Sequence, residues 1–424
     1  MNTLIEQEQE KTGLQYWQQS AVLLLAIAVI ISRRPDAIFH AQFYAEDGHV
    51  WYADAYNYGW WPSFLRAHTG YFQTLPRLGA SLALLLPLSL APLVLNIIAI
   101  AVRAIPVNLL LSSGSAPWGS LRFRFLLAGM YLVVPNQAEM SCGITESQWL
   151  LALSAFLVLV TTAPRTGPGK LFDVVLLLLC GLTGPFCIVL LPFAFLLARK
   201  QSDRWHWERV GVLLVLCLIQ VWALLVVDPA GRKETALGAT PGLFARILGG
   251  QVYLGTLLGG NGLAARSGHS LFTLLVCAAI GGSVLVAICF VRARLQMKLF
   301  LLLATIFFVL ALISPTGAVA DGMSAWENLA GGPGIRYWFF PTLGFAWSIV
   351  WCTQSRSGAL KTVSAVLLCT MCFGIIRDWR HPAFRDMHFA DDARRFETAT
   401  AGTAVTIPEN PEGWNLTLVK RSPK

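Results

Sequence analysis

Runs of apolar residues long enough to cross a lipid bilayer decide what this chain can fold into. A helix needs ~20 apolar residues to traverse a hydrocarbon core about 30 Å thick. Segments such as 90–112, 209–227 and 269–291 reach or approach that length. Inside lipid the backbone polar groups must pair with one another, so a spanning segment is either a helix or a strand of a closed barrel. The alternating pattern of barrel strands is not found here. Only 13% of the 424 residues are charged, against about 25% in soluble domains, and the mean hydropathy is +0.59. The expected fold is an all-α polytopic membrane protein.

Helices are expected near 17–33, 90–112, 122–135, 149–163, 171–183, 185–198, 209–227, 269–291, 299–313, 337–353 and 361–376, about eleven transmembrane segments in all. Lys and Arg favour cytoplasmic connections. Arg122 and Arg124; Arg165 and Lys170; Arg199, Lys200, Arg204 and Arg209; Arg292, Arg294 and Lys298; and Arg356 and Lys361 mark five of them. If all five are cytoplasmic, the segments alternate without a break, with the N-terminus cytoplasmic and the C-terminus extracytoplasmic. The stretch 75–87 is too short to cross and carries Pro76, Arg77 and Pro87 at its ends, so it reads as a half-membrane or interfacial helix. Gly181, Gly184 and Pro185 divide 171–198 into two short helices that meet on the outer side. Residues 1–376 then form the transmembrane domain, with outer loops 34–74, 136–148, 228–268 and 314–336. Residues 377–424 form a small extracytoplasmic tail.

The net charge of +9 does not imply a nucleic-acid partner, because the basic residues sit in those connections. Seven of the nine cysteines fall inside apolar runs, where thiols behave as small core residues. No small-residue cleavage site follows the first apolar run, which reads as a retained helix rather than a signal peptide. Arg103 lies within an apolar run nearer its cytoplasmic end and is expected to snorkel there.

The first outer loop is the most informative. Glu46 and Asp47 stand side by side, followed by Gly48, at the head of an expected short helix 49–58. Aromatic residues surround them, including Phe43, Tyr44, Trp51, Tyr52, Trp60 and Trp61. Trp and Tyr favour the headgroup level of a membrane, so the loop is expected to lie along the surface with its carboxylates at headgroup depth. A carboxylate there can take a proton from a hydroxyl attacking a sugar carbon, and a departing lipid phosphate needs positive charge to hold it. Asp47 is the expected base, with Glu46 orienting it or holding the acceptor. Equally, Asp47 can act as a simple helix cap.

An N-terminal helix followed by an aromatic-rich outer loop with a carboxylate pair resembles the GT-C class of glycosyltransferases, multi-spanning enzymes that use polyprenyl-phosphate sugars. Tyr44-Ala45-Glu46-Asp47-Gly48 is similar to a block of one bacterial group in that class. Pro135-Asn136-Gln137-Ala138-Glu139 with Gly143-Ile144-Thr145-Glu146-Ser147-Gln148-Trp149 is similar to its second outer loop, where the related pattern is Asn-Ile-Thr-Asn-x-x-Trp. This chain has Gly143 and Glu146 in place of the two asparagines. The resemblance covers the first 200 residues best. It implies an enzyme of the bacterial inner (cytoplasmic) membrane that moves a sugar, with inversion, from a polyprenyl-phosphate donor to a glycan or lipid-linked acceptor on the outer face, with Asp47 as base.

Other candidates follow. Gly334-Ile335-Arg336-Tyr337 opens a late helix on the outer side; Arg336, with Tyr337, can clamp a lipid phosphate or simply anchor the helix end. Arg77 can pair with Asp47, meet the phosphate, or snorkel. Glu146 and His269, the latter after the Gly-rich stretch 249–268, complete the substrate-binding candidates. His40, His49 and His68 share the first loop, which leaves room for a divalent cation, but no tight His/Asp spacing fixes a metal site and no other cofactor is implied. A flippase or transporter of a lipid-linked saccharide, or a polysaccharide polymerase or ligase, are the alternative functions. A flippase should carry charges along its central helices, whereas the acidic residues here lie almost wholly in loops.

The orientation is open to direct test. Single cysteines introduced near Arg165, Asp203 and Leu295 are expected to react with membrane-impermeant reagents only from the cytoplasmic face. Labelling of any of them from the outer face would overturn the alternation.

Overall fold

The computed structural model describes residues 13–201, 203–231, 235–264, 270–315, 322–331 and 334–422. Long helices dominate. They are α1 (Tyr16–Arg33), α2 (Thr74–Ala83), α3 (Ala91–Leu111), α4 (Leu121–Val133), α5 (Ser147–Val160), α6 (Gly167–Leu182), α7 (Phe186–Gln201), α8 (Arg204–Trp222), α9 (Ser270–Arg292), α10 (Leu295–Ile313), α11 (Phe339–Cys352), α12 (Gly358–Arg377) and α13 (Phe389–Thr398). An antiparallel hairpin of β1 (Ala404–Glu409) and β2 (Trp414–Val419) follows.

A helix lies at each of the eleven expected positions. Among the described residues five stretches are long and apolar enough to cross a membrane: Leu88–Leu111, Arg204–Val227, Phe272–Arg292, Leu295–Ile313 and Gly358–Arg377. The remainder are shorter, and two of them show why. Every residue of α5 is buried, as are most of α11, so these helices are walled by protein rather than lipid. Lipid is as apolar as leucine and gives helices no hydrophobic reason to associate, so close packing must do so. Here the packing is aromatic. Phe307 stacks on Phe340 at 4.5 Å, Phe300 meets Trp347 at 4.3 Å and Trp149 meets Phe186 at 4.9 Å, each such pair worth about 0.5–1.5 kcal/mol beyond its area.

Local sequence sets the helix ends. Ser120, Thr166, Asp203 and Ser357 each cap an N-terminus by accepting a backbone N–H. The Gly184-Pro185 break separates α6 from α7, as expected, with Gly184 at φ 158°. α2 has ten residues, about 15 Å of rise, half a hydrocarbon core. It buries Arg77 and Ala80 and exposes Leu78 and Leu82.

The basic connections gather at one end of the bundle. There Arg124 donates to the Ser112 carbonyl (2.6 Å), Thr162 N–H donates to Gly114 (3.1 Å), and Arg209 pairs with Asp173 (2.5 Å). Gly119, Arg294 and Gln354 line one small cavity at that same end. The acidic loops lie at the other end. Arg103 belongs to them, which corrects the expectation that it snorkels towards the cytoplasmic connections. Side chains lean towards a helix N-terminus, and its guanidinium donates to the Met140 carbonyl (3.2 Å) and bonds Ser141.

The tail packs against the rest of the chain. Its hairpin and α13 share a core with the loop 34–74: Phe43 packs on Phe389 at 5.3 Å, and Ile407, Leu416 and Leu418 are fully buried. Hydrogen bonds stitch the two together, from Phe384 N–H to Asp36 (2.9 Å), from Met387 N–H to Gln42 (2.9 Å) and from Asn57 to the Thr417 carbonyl (2.8 Å). Too little chain for a core of its own, it completes one with residues placed more than three hundred positions earlier.

At the root of the tail, Asp378 accepts N–H bonds from Asn136 (3.1 Å), Gly260 (2.7 Å) and Asn261 (3.3 Å). One carboxylate thus ties three segments. Asp378→Ala is expected to cost about 1–3 kcal/mol by leaving buried donors without a partner, read as a lowered unfolding temperature in detergent. An unchanged temperature would mean that water or neighbouring groups replace it.

Candidate functional site

The loop 134–146 has little regular structure of its own, and the site is built where other segments fix it. After α4 the chain turns at Val134 and Pro135. Arg33, buried at the end of α1, donates to the carbonyls of Leu132 (2.8 Å) and Val134 (3.3 Å), bonds that the helix end cannot make for itself. The loop then runs past Glu139 and Glu146 into α5.

Asp47 grips that loop from the other side. Its carboxylate accepts from Ile144 N–H (3.1 Å), Thr145 N–H (3.3 Å) and Thr145 Oγ1 (2.9 Å) and is 2% exposed. A Cβ at position 143 would collide with the same carboxylate, so glycine at Gly143 is what lets Asp47 approach. Burial pushes the Asp47 carboxyl up to about 7, against the pull of the Thr145 and Ile144 donors. Asp47 caps no turn of its own helix, and it does not line either of the two large cavities described next.

Glu46 does. Ala45 sits at φ 48°, a left-handed conformation uncommon outside glycine and asparagine, and the chain turns there so that Asp47 faces inward while Glu46 reaches the cavities. The first cavity, about 320 Å³, has one apolar wall, from Ile188, Val189, Leu224, Phe307, Leu310 and Ala311, and a polar one, from His68, Gln73, Thr145 and Gln148. The second, about 550 Å³, is bounded by Arg34, Tyr44, Glu139, Phe384, Asn410 and Trp414. Glu46, Glu146, Arg336 and Tyr337 line both.

Arg336 enters from the turn before α11. It pairs with Glu139 and lies 3.8 Å from Glu146, while its backbone N–H donates to Glu139 (3.0 Å). Burial opposes its charge, but Glu139 and Glu146 outweigh that and hold the guanidinium well above its ordinary range. Burial, opposed by Arg336 and reinforced by Glu139 and Glu46, keeps the Glu146 carboxyl well above the ordinary range. Tyr337 packs edge-on to Trp149 at 5.7 Å.

The other sequence candidates fall elsewhere. Arg77 pairs with Asp54 at 3.1 Å beneath the Trp51 ring and meets neither Asp47 nor a large cavity. His269 lies outside the described residues. Among the described residues no group of three or more His, Cys, Asp or Glu is arranged to hold a metal ion. Glu139 stood in a recognised block without a role. Glu409 gave no signal, since an isolated glutamate near the end of a tail resembles any surface residue. Yet both its oxygens are buried, set against the backbone of Gly48 and His49, and one is so close to Gly48 that a Cβ there would strike it. This explains the glycine of the Glu-Asp-Gly block.

No family model matches this chain, and no curated protein matches it. Among solved structures it is similar to the archaeal oligosaccharyltransferase AglB from Archaeoglobus fulgidus in complex with an inhibitory peptide and a dolichol-phosphate, at 13% identity over 91% of this chain and 58% of that one, with a TM-score of 0.46. It is also similar to the Archaeoglobus fulgidus oligosaccharyltransferase tethered to an acceptor peptide containing the NVT sequon, at 12% identity over 90% and 59%, with a TM-score of 0.44. The chain thus spans under two thirds of the length of either.

Burial, with Asp47 as a neighbour, pushes the Glu409 carboxyl up to about 9 from an ordinary 4.5. The unfolded chain therefore releases this proton near 4.5 while the folded one keeps it. The resulting stability is complete below about 4.5 and is lost as pH rises towards 9. The unfolding temperature in detergent is expected to decline over that window, and Glu409→Gln, which stays neutral, is expected to flatten the decline. A Glu409→Gln profile parallel to that of the wild type would remove Glu409 as its source.

Proposed function

We propose that this protein is a GT-C-like glycosyltransferase that moves a sugar from a polyprenyl-phosphate donor to a hydroxyl acceptor on the outer face of a bacterial cytoplasmic membrane. The observation that carries the reading is Glu46, with Arg336, at the junction of two cavities, the first with an apolar wall of Phe307, Leu310 and Ala311 and the second reached by Arg34, Glu139 and Asn410. A lipid-linked sugar needs both: a wall for its apolar chain, and room beyond the phosphate for its polar head. The isoprenoid chain would follow the wall of Phe307, Leu310 and Ala311, and the phosphate would lie near Arg336 and Tyr337. The acceptor would come through the second cavity past Asn410 and Trp414.

Glu46, rather than Asp47, takes the role of base. A base must come within hydrogen-bond reach of the proton it removes, about 2.6–3.2 Å, and the Asp47 carboxylate is already engaged by three donors of the second loop. The acceptor oxygen attacks the anomeric carbon and its proton passes to Glu46. The bond from that carbon to the phosphate oxygen breaks and the phosphate leaves with the electron pair, inverting the carbon. Arg336 supplies positive charge where the phosphate gains negative charge. Glu146, which burial inclines to keep its proton, adds a neutral donor beside it. Asp47 is a positioning residue: through Ile144 and Thr145 it fixes the loop that carries Glu146.

This assignment predicts that Glu46→Gln lowers transfer from undecaprenyl-phosphate-linked hexoses by roughly 10²–10⁴-fold while binding of undecaprenyl phosphate persists. Product formation followed by mass spectrometry tests it. A folded Glu46→Gln protein that transfers at the wild-type rate would exclude Glu46 as the base.

A further inference from the structure

The arginines buried around the site differ in one respect. Arg33 spends its donors on the carbonyls of Leu132 and Val134, Arg77 on Asp54, Arg103 on Met140 and Ser141, and Arg336 on Glu139. Arg34 does not. It is 4% exposed, and its Nε and Nη1 are sealed from solvent without a hydrogen-bond partner. The carboxylate nearest to it is Asp36 at 3.9 Å, whose Oδ2 already accepts from Phe384 N–H at 2.9 Å. The guanidinium lies over the Phe384 ring at 4.5 Å, and Tyr44 stacks on that ring at 5.4 Å. Arg34 lines the second cavity and not the first.

We propose that Arg34 binds an anionic group, a carboxylate or a phosphate, on the part of the substrate that occupies the second cavity. A buried charge is costly unless it is paired and hydrogen-bonded, and the protein supplies Arg34 with a ring to lie on and a loose ion pair to Asp36 but no acceptor within hydrogen-bond distance. At the edge of the guanidinium that reaches the cavity a bound oxyanion adds a hydrogen-bonded partner, since a guanidinium presents donors in a fixed fork that matches carboxylate and phosphate oxygens. The group held here is distinct from the lipid phosphate at Arg336. Arg336 stands where the two cavities meet, whereas Arg34 lines the second cavity alone. The inference rests on the lipid-linked reading of the two cavities and adds to it a substrate class: either an acidic sugar or acceptor, or a donor bearing a second phosphate.

The test is calorimetric titration of the full chain, in detergent, with four probes: farnesyl monophosphate, farnesyl diphosphate, methyl glucuronide and methyl glucoside. The wild type is expected to prefer the diphosphate to the monophosphate, or the glucuronide to the glucoside, by about tenfold or more. Arg34→Gln is expected to abolish that preference and leave monophosphate and glucoside binding unchanged. Loss of the diphosphate preference assigns the anion to the donor, and loss of the glucuronide preference assigns it to an acidic sugar. Should Arg34→Gln fail to fold, Ala383→Glu, an exposed change on the wall of the same cavity, sets a carboxylate beside the guanidinium and is expected to cut the anionic preference alone. A wild type that favours neither anion, or a variant that weakens all four probes equally, overturns the proposal. Failure of farnesyl monophosphate to bind the wild type counts instead against the lipid-phosphate reading, while the glucuronide arm still decides Arg34.

Discussion

The end of this molecule that carries the acidic loops depends on satisfying the backbone of a loop that has no ladder or long helix to do it. Between α4 and α5 the chain passes through irregular structure beside a membrane bundle, where unpaired backbone groups are tolerated only when protein surrounds them. Charged side chains from four distant places meet that need. Arg33 and Arg103 take carbonyls, and Asp47 and Asp378 take N–H groups. Remove these and Glu139 and Glu146 lose the framework that faces them towards Arg336. Most of the buried charge near the site serves this scaffold, which is why few of the ionisable groups are left to meet a substrate.

That division of labour bears on how far the site could be read in advance. Helix positions were legible because lipid imposes a length and a composition, and the break at Gly184-Pro185 and the short helix after Leu75 followed from residues with fixed conformational habits. The carboxylate pair was legible as a pair, but not which member faces the cavities. That depends on the left-handed turn at Ala45, which an alanine does not announce. Arg77 looked available because its partner Asp54 lies more than twenty residues away. Arg103 was placed by its distance from the nearest basic connection, whereas its side chain leans the opposite way along the helix. The tail was hardest to read. A hairpin of six-residue strands has no amphipathic signal strong enough to reveal that its other half is the first loop.

Gly48 and Gly143 illustrate the same point from the side of the small residues. Neither needs a positive φ. Each leaves out a Cβ so that a carboxylate can stand against the backbone, Glu409 at the first and Asp47 at the second. The two glycines thereby bring three segments of the chain within contact around adjacent carboxylates.

The shared core of the tail and the first loop also has a consequence for biogenesis. The loop that bears Glu46 is translated soon after α1, but the strands that pack on it, together with Phe384 and Glu409, are made only after every long apolar helix has been synthesised. During that interval Phe43 and the aromatic face around it lack their covering, and the second cavity lacks the wall formed by Asn410 and Trp414. Assembly of the helices and closure of the site are therefore separate events in time, and a nascent chain halted before the hairpin would hold its bundle without a finished site.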